Sequence, residues 1–119
     1  MIDLNLGTVE SQFADIIWKR EPVGSSELVK IAEKELNWKK STTYTVLKRL
    51  CEKGIFKNEN AVVSSIVSRN EFYSMQSERF VDEAFDGSLP EFLAAFTRRK
   101  QLTKAELNFL SELIEKNKN

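Results

Sequence analysis

The sequence has no histidine and a single cysteine, Cys51, among its 119 residues. Without histidine there is no Ser-His or Cys-His nucleophile pair, and the commonest metal ligand in proteins is missing. One cysteine cannot form an internal disulfide or a cysteine-rich metal site, and we expect it to be an inert packing residue. The composition therefore predicts neither an enzyme nor a protein with a cofactor or a metal.

Long apolar runs are also absent, since the longest spans five residues, 92–96. A transmembrane helix needs about 20 apolar residues, so we expect no membrane insertion. The first residues lack the basic and then apolar order of a signal peptide, and we expect a cytoplasmic protein. With 41% apolar and 30% charged residues, the chain resembles one small globular domain or two small units that complete each other in a dimer.

Apolar residues spaced three and four apart predict two helices in the first 37 residues. The first is expected to take Thr8 as its N-cap and to end before Pro22, because proline disfavours a helical residue in front of it. Ser25 or Ser26 can cap the second helix, and Asn37 is expected to end it.

A third helix is predicted over residues 41–53, with Gly54 as a left-handed cap at its end. Its core face consists of Thr43, Val46, Leu47 and Leu50. Two short segments rich in β-branched residues, 55–59 and 62–67, follow as strands. The turn between them has no glycine, which leaves its type open. Three helices and a hairpin within 70 residues are the order of a winged helix-turn-helix.

From residue 70 onward the strand pattern gives way to helical spacing. A fourth helix is predicted to end at Asp86 and Gly87, and Ser88 can cap a fifth. Thr103 and Glu106 form a capping box for a sixth. The whole chain is therefore predicted to be mainly α with a small β-hairpin.

The predicted tail carries more large apolar side chains than a lone helical hairpin can bury, so the same segment of a second subunit is their natural cover. We predict a winged-helix DNA-binding domain over residues 1–69 and a helical dimerisation domain over residues 70–119. The candidate dimerisation residues are Phe72, Phe80, Phe85, Leu89, Phe92, Leu93, Phe96, Leu107, Leu110, Leu113 and Ile114.

Positive charge is concentrated in one stretch, although the formal net charge is zero. Between Leu36 and Lys57, Glu52 is the only acidic residue among six basic ones. Clusters of this kind bind the phosphates of nucleic acids, although a charge run is more often a solvated face. The six basic residues are Lys39, Lys40, Lys48, Arg49, Lys53 and Lys57.

At 100° per residue, the polar side chains of the third helix lie opposite its core face. Hydroxyls, one aromatic ring and one cation there can contact base edges and phosphates in a major groove. The alternative is an exposed surface made of poor helix formers. Arg49, beside this face, can bind a phosphate or pair with Glu10. Candidate DNA contacts are Lys39, Lys40, Ser41, Thr42, Tyr44, Thr45, Lys48 and Arg49, with Lys57, Asn58 and Asn60 in the wing.

Four motifs follow one another along the chain: L-x3-E-x2-F-x2-I-I-W from Leu6, W-x2-S-T-T-x-T-V-L-x-R-L-x2-K-G from Trp38, F-V-D-x2-F-D-G-S-L from Phe80 and L-T-x2-E-L from Leu102. In order and spacing they resemble the penicillinase-repressor family of winged-helix transcriptional repressors. The resemblance implies a homodimer that binds palindromic double-stranded operator DNA through its winged helix.

The resemblance also implies a route of induction. Antibiotic-responsive members of the family are inactivated by proteolysis in the dimerisation half, at a small or polar residue followed by phenylalanine, and a membrane sensor protease would be the partner. The matching spacing places this junction at Ala95 and Phe96. The alternative is that Phe96 is simply a packing residue.

Three departures from the family pattern change what we expect. Lys39 and Lys40 stand where the family commonly has Ser or Thr and then Pro, and the wing carries less charge than usual. The cysteine-rich metal hook of the copper-responsive branch has no counterpart after Lys116. We therefore expect a repressor that does not sense copper through thiolates. The alternative function is a winged-helix protein-interaction module without DNA binding.

Overall fold

The computed structural model describes residues 1–118, and Asn119 lies outside the described residues. In chain order the elements are α1 (Thr8–Arg20), β1 (Val23–Gly24), α2 (Ser25–Leu36), α3 (Lys40–Glu52), β2 (Phe56–Glu59), β3 (Val62–Ser65), α4 (Arg69–Phe85), α5 (Leu89–Arg99) and α6 (Lys104–Lys116). The strands form one antiparallel sheet in the order β1-β3-β2. The predicted mainly α fold with a winged helix is confirmed. Strand β1 was not predicted, because two residues are too few for a strand pattern.

The chain forms two compact units, residues 1–77 and a second unit from Glu78 onward. The predicted domain boundary lies after residue 69, at the start of α4, whereas the two units divide within α4, between residues 77 and 78. The first turns of α4 belong to the first unit because Phe72 is fully buried there. Its ring lies 5.7 Å from that of Trp18 and 5.2 Å from that of Tyr73, between centroids.

The inner face of α3 lies in the core of the first unit, as predicted. Thr43, Val46, Leu47 and Leu50 are at most 4% exposed. Thr43 is polar, but its hydroxyl donates to the backbone oxygen of Lys39 at 3.2 Å, so its burial leaves no hydrogen-bonding group unsatisfied. The burial of these four side chains determines which residues of α3 face outward.

Both tryptophans support this core from its edges. Trp38, just before α3, packs against Phe13 of α1 with ring centroids 5.2 Å apart. Trp18 packs against Phe56 at 5.1 Å and donates from its indole nitrogen to the backbone oxygen of Val67 at 3.1 Å. Aromatic rings of this size contribute much of a small core, so both tryptophans have a packing role.

The N-caps of α1 and α2 differ from the prediction. The N-cap of α1 is Gly7 rather than Thr8, because the Glu10 carboxylate accepts the Gly7 N–H at 3.0 Å. The N-cap of α2 is Gly24, and neither serine caps this helix. Gly24 is extended because it pairs with Val62 in the sheet, which moves the helix start to the residue that follows it.

The other predicted helix ends are confirmed. Asn37 ends α2 with a φ of 58°, and Gly54 follows α3 with a φ of 79°. The Ser88 hydroxyl accepts the Glu91 N–H at 3.2 Å at the start of α5. At the start of α6 the Thr103 hydroxyl accepts the Glu106 N–H at 3.1 Å, and the Glu106 carboxylate accepts the Thr103 N–H at 2.8 Å.

The second unit leaves its apolar side chains half open. The rings of Phe80, Phe85 and Phe92 form a cluster with centroid distances of 5.7 to 6.1 Å. Within residues 78–118, however, no side chain is fully buried. Within residues 1–118, no helix combines the length and the apolar character that a membrane span needs.

The turn between β2 and β3 contains no glycine, yet two of its residues have a left-handed backbone conformation. Glu59 pairs with Val62, so the loop has two residues, Asn60 and Ala61, with φ of 53° and 61°. Positive φ at both positions is what a type I′ hairpin turn requires. Asparagine tolerates this conformation, whereas alanine is strained there by about 1 kcal/mol.

We predict that Ala61→Gly stabilises the first unit by about 0.5–1 kcal/mol, because glycine adopts positive φ without steric strain. Urea unfolding followed by tryptophan fluorescence measures this unit selectively, since Trp18 and Trp38 both belong to it. Asn60→Gly is the matched control and should change the free energy of unfolding much less. Equal effects of the two variants would contradict the assigned strain.

Candidate DNA interface

The outer face of α3, defined by Ser41, Thr42, Tyr44, Thr45, Lys48 and Arg49, is exposed as the helical spacing predicts. The core residues of α3 occupy the opposite side. The side chain of Tyr44 is 38% exposed, so part of its ring is accessible to a ligand. The face offers hydroxyls, a ring and cations along about two turns of helix.

The start of α3 has free backbone donors. Lys39 is the N-cap in an extended conformation, and no side chain caps the helix. Ser41 therefore does not cap this helix. In residues 1–118 the N–H groups of Lys40, Ser41 and Thr42 have no hydrogen-bond acceptor. Such a helix start, with lysines at its first two positions, attracts anions.

The hydroxyl of Thr45 is already engaged within the helix. It donates to the backbone oxygen of Ser41 at 2.9 Å, while the side chain stays exposed. What Thr45 presents outward is its methyl group and the lone pairs of its oxygen. These groups can contact a thymine methyl or accept a hydrogen bond from a base amino group.

The cations of this region divide into two groups. Lys39, Lys40, Lys48 and Arg49 make no salt bridge in the part of the chain that the structure describes. Lys53, by contrast, binds Glu10 at 3.0 Å, with side chains only 19% and 14% exposed. The four free cations therefore lie on or beside the outer face of α3, and Lys53 is removed from it.

The partner of Glu10 differs from the interpretation that the sequence suggested. Arg49 was expected to pair with Glu10 or to bind a phosphate, and the salt bridge is made by Lys53 instead. The reason is geometric: Lys53 follows the last turn of α3 and reaches back toward α1, while Arg49 remains exposed. Arg49 is therefore available to an external anion.

The wing carries little net charge at its tip. Lys57, Asn58 and Asn60 are exposed, as the candidate DNA contacts should be. Lys57 lies 3.5 Å from Glu59, however, with side chains 48% and 70% exposed. An exposed pair of this kind is worth little in stability, but the carboxylate offsets the only cation of the wing.

The candidate dimerisation residues fall into two places. Phe72 is in the core of the first unit and is not available to a partner. The other ten lie in the second unit, half-buried or exposed. Phe109 was missed by sequence reasoning and is the most exposed apolar side chain there, at 66%. Its spacing of four from Ala105 and Leu113 is the signal that could have found it. The strongly exposed members are Phe80, Leu89, Phe96, Leu107, Phe109, Leu113 and Ile114.

The predicted cleavage junction and the single cysteine both have well-defined surroundings. Ala95 and Phe96 lie inside α5 and are both exposed, and the Phe96 carbonyl accepts the Lys100 N–H at 3.3 Å. Cys51 is half-buried, and burial raises the pKa of its thiol. A protonated thiol is a poor nucleophile, which agrees with a packing role.

These features define a winged helix-turn-helix protein with an exposed, cationic third helix. Over residues 6–116 the chain matches the penicillinase repressor family. It is 25% identical over 118 residues to the penicillinase repressor of Bacillus licheniformis, an alignment that covers 96% of this chain and 92% of that relative. The chain therefore belongs to the penicillinase repressor family, a family of transcriptional repressors and not of enzymes, and the resemblance seen in the sequence is confirmed.

The Glu10 and Lys53 pair makes a pH-dependent contribution to stability. The Gly7 N–H first, and then Lys53, hold the pKa of Glu10 below its usual value of 4.5. A carboxylate with a lowered pKa stabilises the fold above the unfolded-state pKa, and this contribution is lost as the pH falls through the folded-state pKa.

We predict that Glu10→Gln lowers the free energy of unfolding at pH 7 by about 1 kcal/mol, because a charge-assisted hydrogen bond is replaced by a neutral one. The difference from the wild type should shrink as the pH falls below about 4.5. Urea unfolding across this pH range measures both. Glu33→Gln, an exposed glutamate on α2, is the control. A difference that is constant with pH would contradict the assignment.

Proposed function

We propose that the protein is a dimeric, operator-binding transcriptional repressor whose α3 enters the major groove of DNA. The observation that supports this most strongly is the outer face of α3, where four cations that make no salt bridge within residues 1–118 lie on or beside a face of exposed hydroxyls. A solvated helix face usually pairs its charges and is rich in glutamate and lysine, which favour helix formation. The first two turns of this face carry hydroxyls instead of glutamate, and Glu52 comes only at the end of α3.

The start of α3 is the proposed phosphate contact. Three backbone N–H groups that have no acceptor within residues 1–118 lie there, next to the side chains of Lys39 and Lys40. Backbone donors and cations of this kind set the register of a protein on the duplex without reading its sequence. Lys48 and Arg49 extend the positive surface along the helix, and the offset charge of Lys57 leaves the wing a secondary contact.

Tyr44 and Thr45 are the proposed readers of base sequence. They lie one and two positions into the second turn of α3, beyond the end that we place at the backbone. Thr42 is the weaker candidate, because it lies close to the free N–H groups and can bond a phosphate instead. The domain that this describes is the first unit, and its partner is double-stranded DNA.

A second copy of the chain is the proposed cover for the second unit. Half-open aromatic and aliphatic side chains in 41 described residues are more than such a small unit can shield alone. In a closed dimer each patch meets its own copy. Two first units joined in this way would bind two half-sites about one or two helical turns apart, and tethering would raise the affinity of each.

Proteolysis at Ala95 and Phe96 is the proposed route of inactivation, with a membrane sensor protease as the partner. Both residues are exposed, and the cut would separate α6 from the rest of the second unit. Because both lie within a helix, the protease would need α5 to unwind locally. The loose packing of this unit supports such opening, since local unfolding costs least where few side chains are buried.

Binding to the DNA segment upstream of the protein's own gene tests the function as a whole. Footprinting should show two protected half-sites, and affinity should fall steeply as salt rises. A winged-helix protein-interaction module is the competing function. It predicts no footprint and no salt-dependent affinity for this DNA.

The proposed phosphate contacts can be tested with a double substitution. Replacing Lys39 and Lys40 together by alanine should weaken binding to operator and random DNA alike and lower the salt slope by roughly one to two units. Replacing Lys19 and Lys30, exposed lysines of α1 and α2, makes the same charge change elsewhere and should leave the slope nearly unaltered. If the two double variants change the salt slope equally, the start of α3 does not contact the phosphate backbone of the DNA.

The second prediction concerns base readout. Tyr44→Ala or Thr45→Ala should cost about 1–3 kcal/mol on the operator and little on random DNA. Tyr44→Phe separates the hydroxyl from the ring, and Thr45→Val retains the methyl group. Competition binding with operator and random DNA measures the ratio of the two affinities. A loss of the same size on both DNAs would count against a role in reading sequence.

The third prediction concerns the dimer. A chain that ends after Ala95 lacks α6 and should be monomeric at micromolar concentration, with operator affinity reduced roughly 100-fold or more. Its first unit should stay folded, because the core residues lie within residues 1–77. Analytical ultracentrifugation decides the matter. Sedimentation as a dimer would show that α6 does not hold the interface and that a cut here cannot induce.

A further inference from the structure

The first six residues form an extended segment that crosses the surface of the first unit. Ile2, Leu4 and Leu6 are half-buried against its core, and the residues between them are exposed. This alternation is the period of a strand, although the segment pairs with no strand of the sheet. We refer to residues 1–6 as the N-terminal strap.

The strap is bonded to the C-terminal end of α3. The Asp3 N–H donates to the backbone oxygen of Lys53 at 2.9 Å, and the Lys53 ammonium group donates to the backbone oxygen of Asn5. Gly54 permits this approach: its φ is 79°, and a Cβ there would lie 3.2 Å from the Met1 carbonyl oxygen. Lys53 also binds Glu10, so the end of α3, the strap and α1 are connected at one point.

The strap is bonded to α4 as well. The side-chain amide of Gln76 donates to the backbone oxygen of Leu4 at 3.0 Å. At its N-terminal end α4 is attached to α1, where Arg69 binds Asp15 at 2.9 Å. Arg69 and Gln76 are seven residues apart, or about 10 Å along the helix. One attachment fixes where a helix lies, and a second one at this distance fixes its direction.

We propose that the N-terminal strap is a positioning device that sets the direction of α4 relative to α3, with Gln76 as its key residue. The inference rests on the proposed function. Because α4 runs from Arg69 to Phe85 and the two units divide between Ser77 and Glu78, α4 would be the arm between the DNA-binding unit and the dimer. In a dimer on DNA, the direction of this arm determines the distance between the two copies of α3. The strap thereby sets which half-site spacing the protein accepts.

Binding assays on three DNA probes test the proposal in the full-length protein: the native operator, the operator with one base pair added between its half-sites, and a single half-site. Gln76→Met removes the donor at similar side-chain length, and Gln76→Glu places a carboxylate against the same carbonyl oxygen. Gln76→Lys keeps a donor that can reach Leu4. Gln12→Met, an exposed position on α1, is the matched control.

We expect Gln76→Met and Gln76→Glu to bind the single half-site within about twofold of the wild type and to lose about two- to tenfold on the native operator, the range of one hydrogen bond. Their penalty for the added base pair should shrink by a similar factor. Gln76→Lys and Gln12→Met should keep the wild-type ratio of operator affinity to half-site affinity. A general effect of the charge added in Gln76→Lys acts on both probes alike and therefore cancels in this ratio.

Two results would overturn the inference. One is an unchanged spacing preference in both Gln76→Met and Gln76→Glu. The other is an equal loss on operator and half-site, which would show that the strap only stabilises the first unit. Failure of the wild-type protein to bind any half-site is a separate outcome, since it refutes the proposed function itself and the strap's role in spacing with it.

Discussion

The burial of one face of α3 is the constraint on which the DNA surface depends. Thr43, Val46, Leu47 and Leu50 occupy the core, and because a helix is rigid, their burial fixes the direction of every other side chain on it. The outer face is therefore preorganised, and binding would not have to order the helix first. Any change that loosens this core would displace the hydroxyls and cations together.

Charge distribution separates the structural cations from those available to a partner. Lys53 is half-buried in a network with Glu10 and the strap, while Lys39, Lys40, Lys48 and Arg49 make no salt bridge within residues 1–118. The sequence shows all of them as one basic stretch of equal members. Only the fold distinguishes them, because the end of α3 turns Lys53 back toward α1. The local charge that can meet phosphates is thus smaller than the sequence count suggests.

Much of the fold could be predicted because its signals are local. The capping box at Thr103, the left-handed positions at Asn37 and Gly54 and the helical spacing of α3 each depend on neighbours in sequence. Features set by distant contacts could not be predicted. Gly24 caps α2 because the sheet holds it extended, and Phe72 joins the first unit because Trp18 packs against it. The N-terminal strap was likewise missed, although its alternating pattern was visible, because a pattern of six residues does not show which surface the segment crosses.

The central claim is that two copies of α3 lie in successive major grooves of one operator. A cleavage reagent attached at Thr45→Cys, with Cys51→Ser removing the only native thiol, tests this most directly. We predict cuts at two symmetric positions about 10 or 20 base pairs apart, in the segment upstream of the protein's own gene. Cuts at a single position, or cuts spread evenly along the DNA, would contradict it.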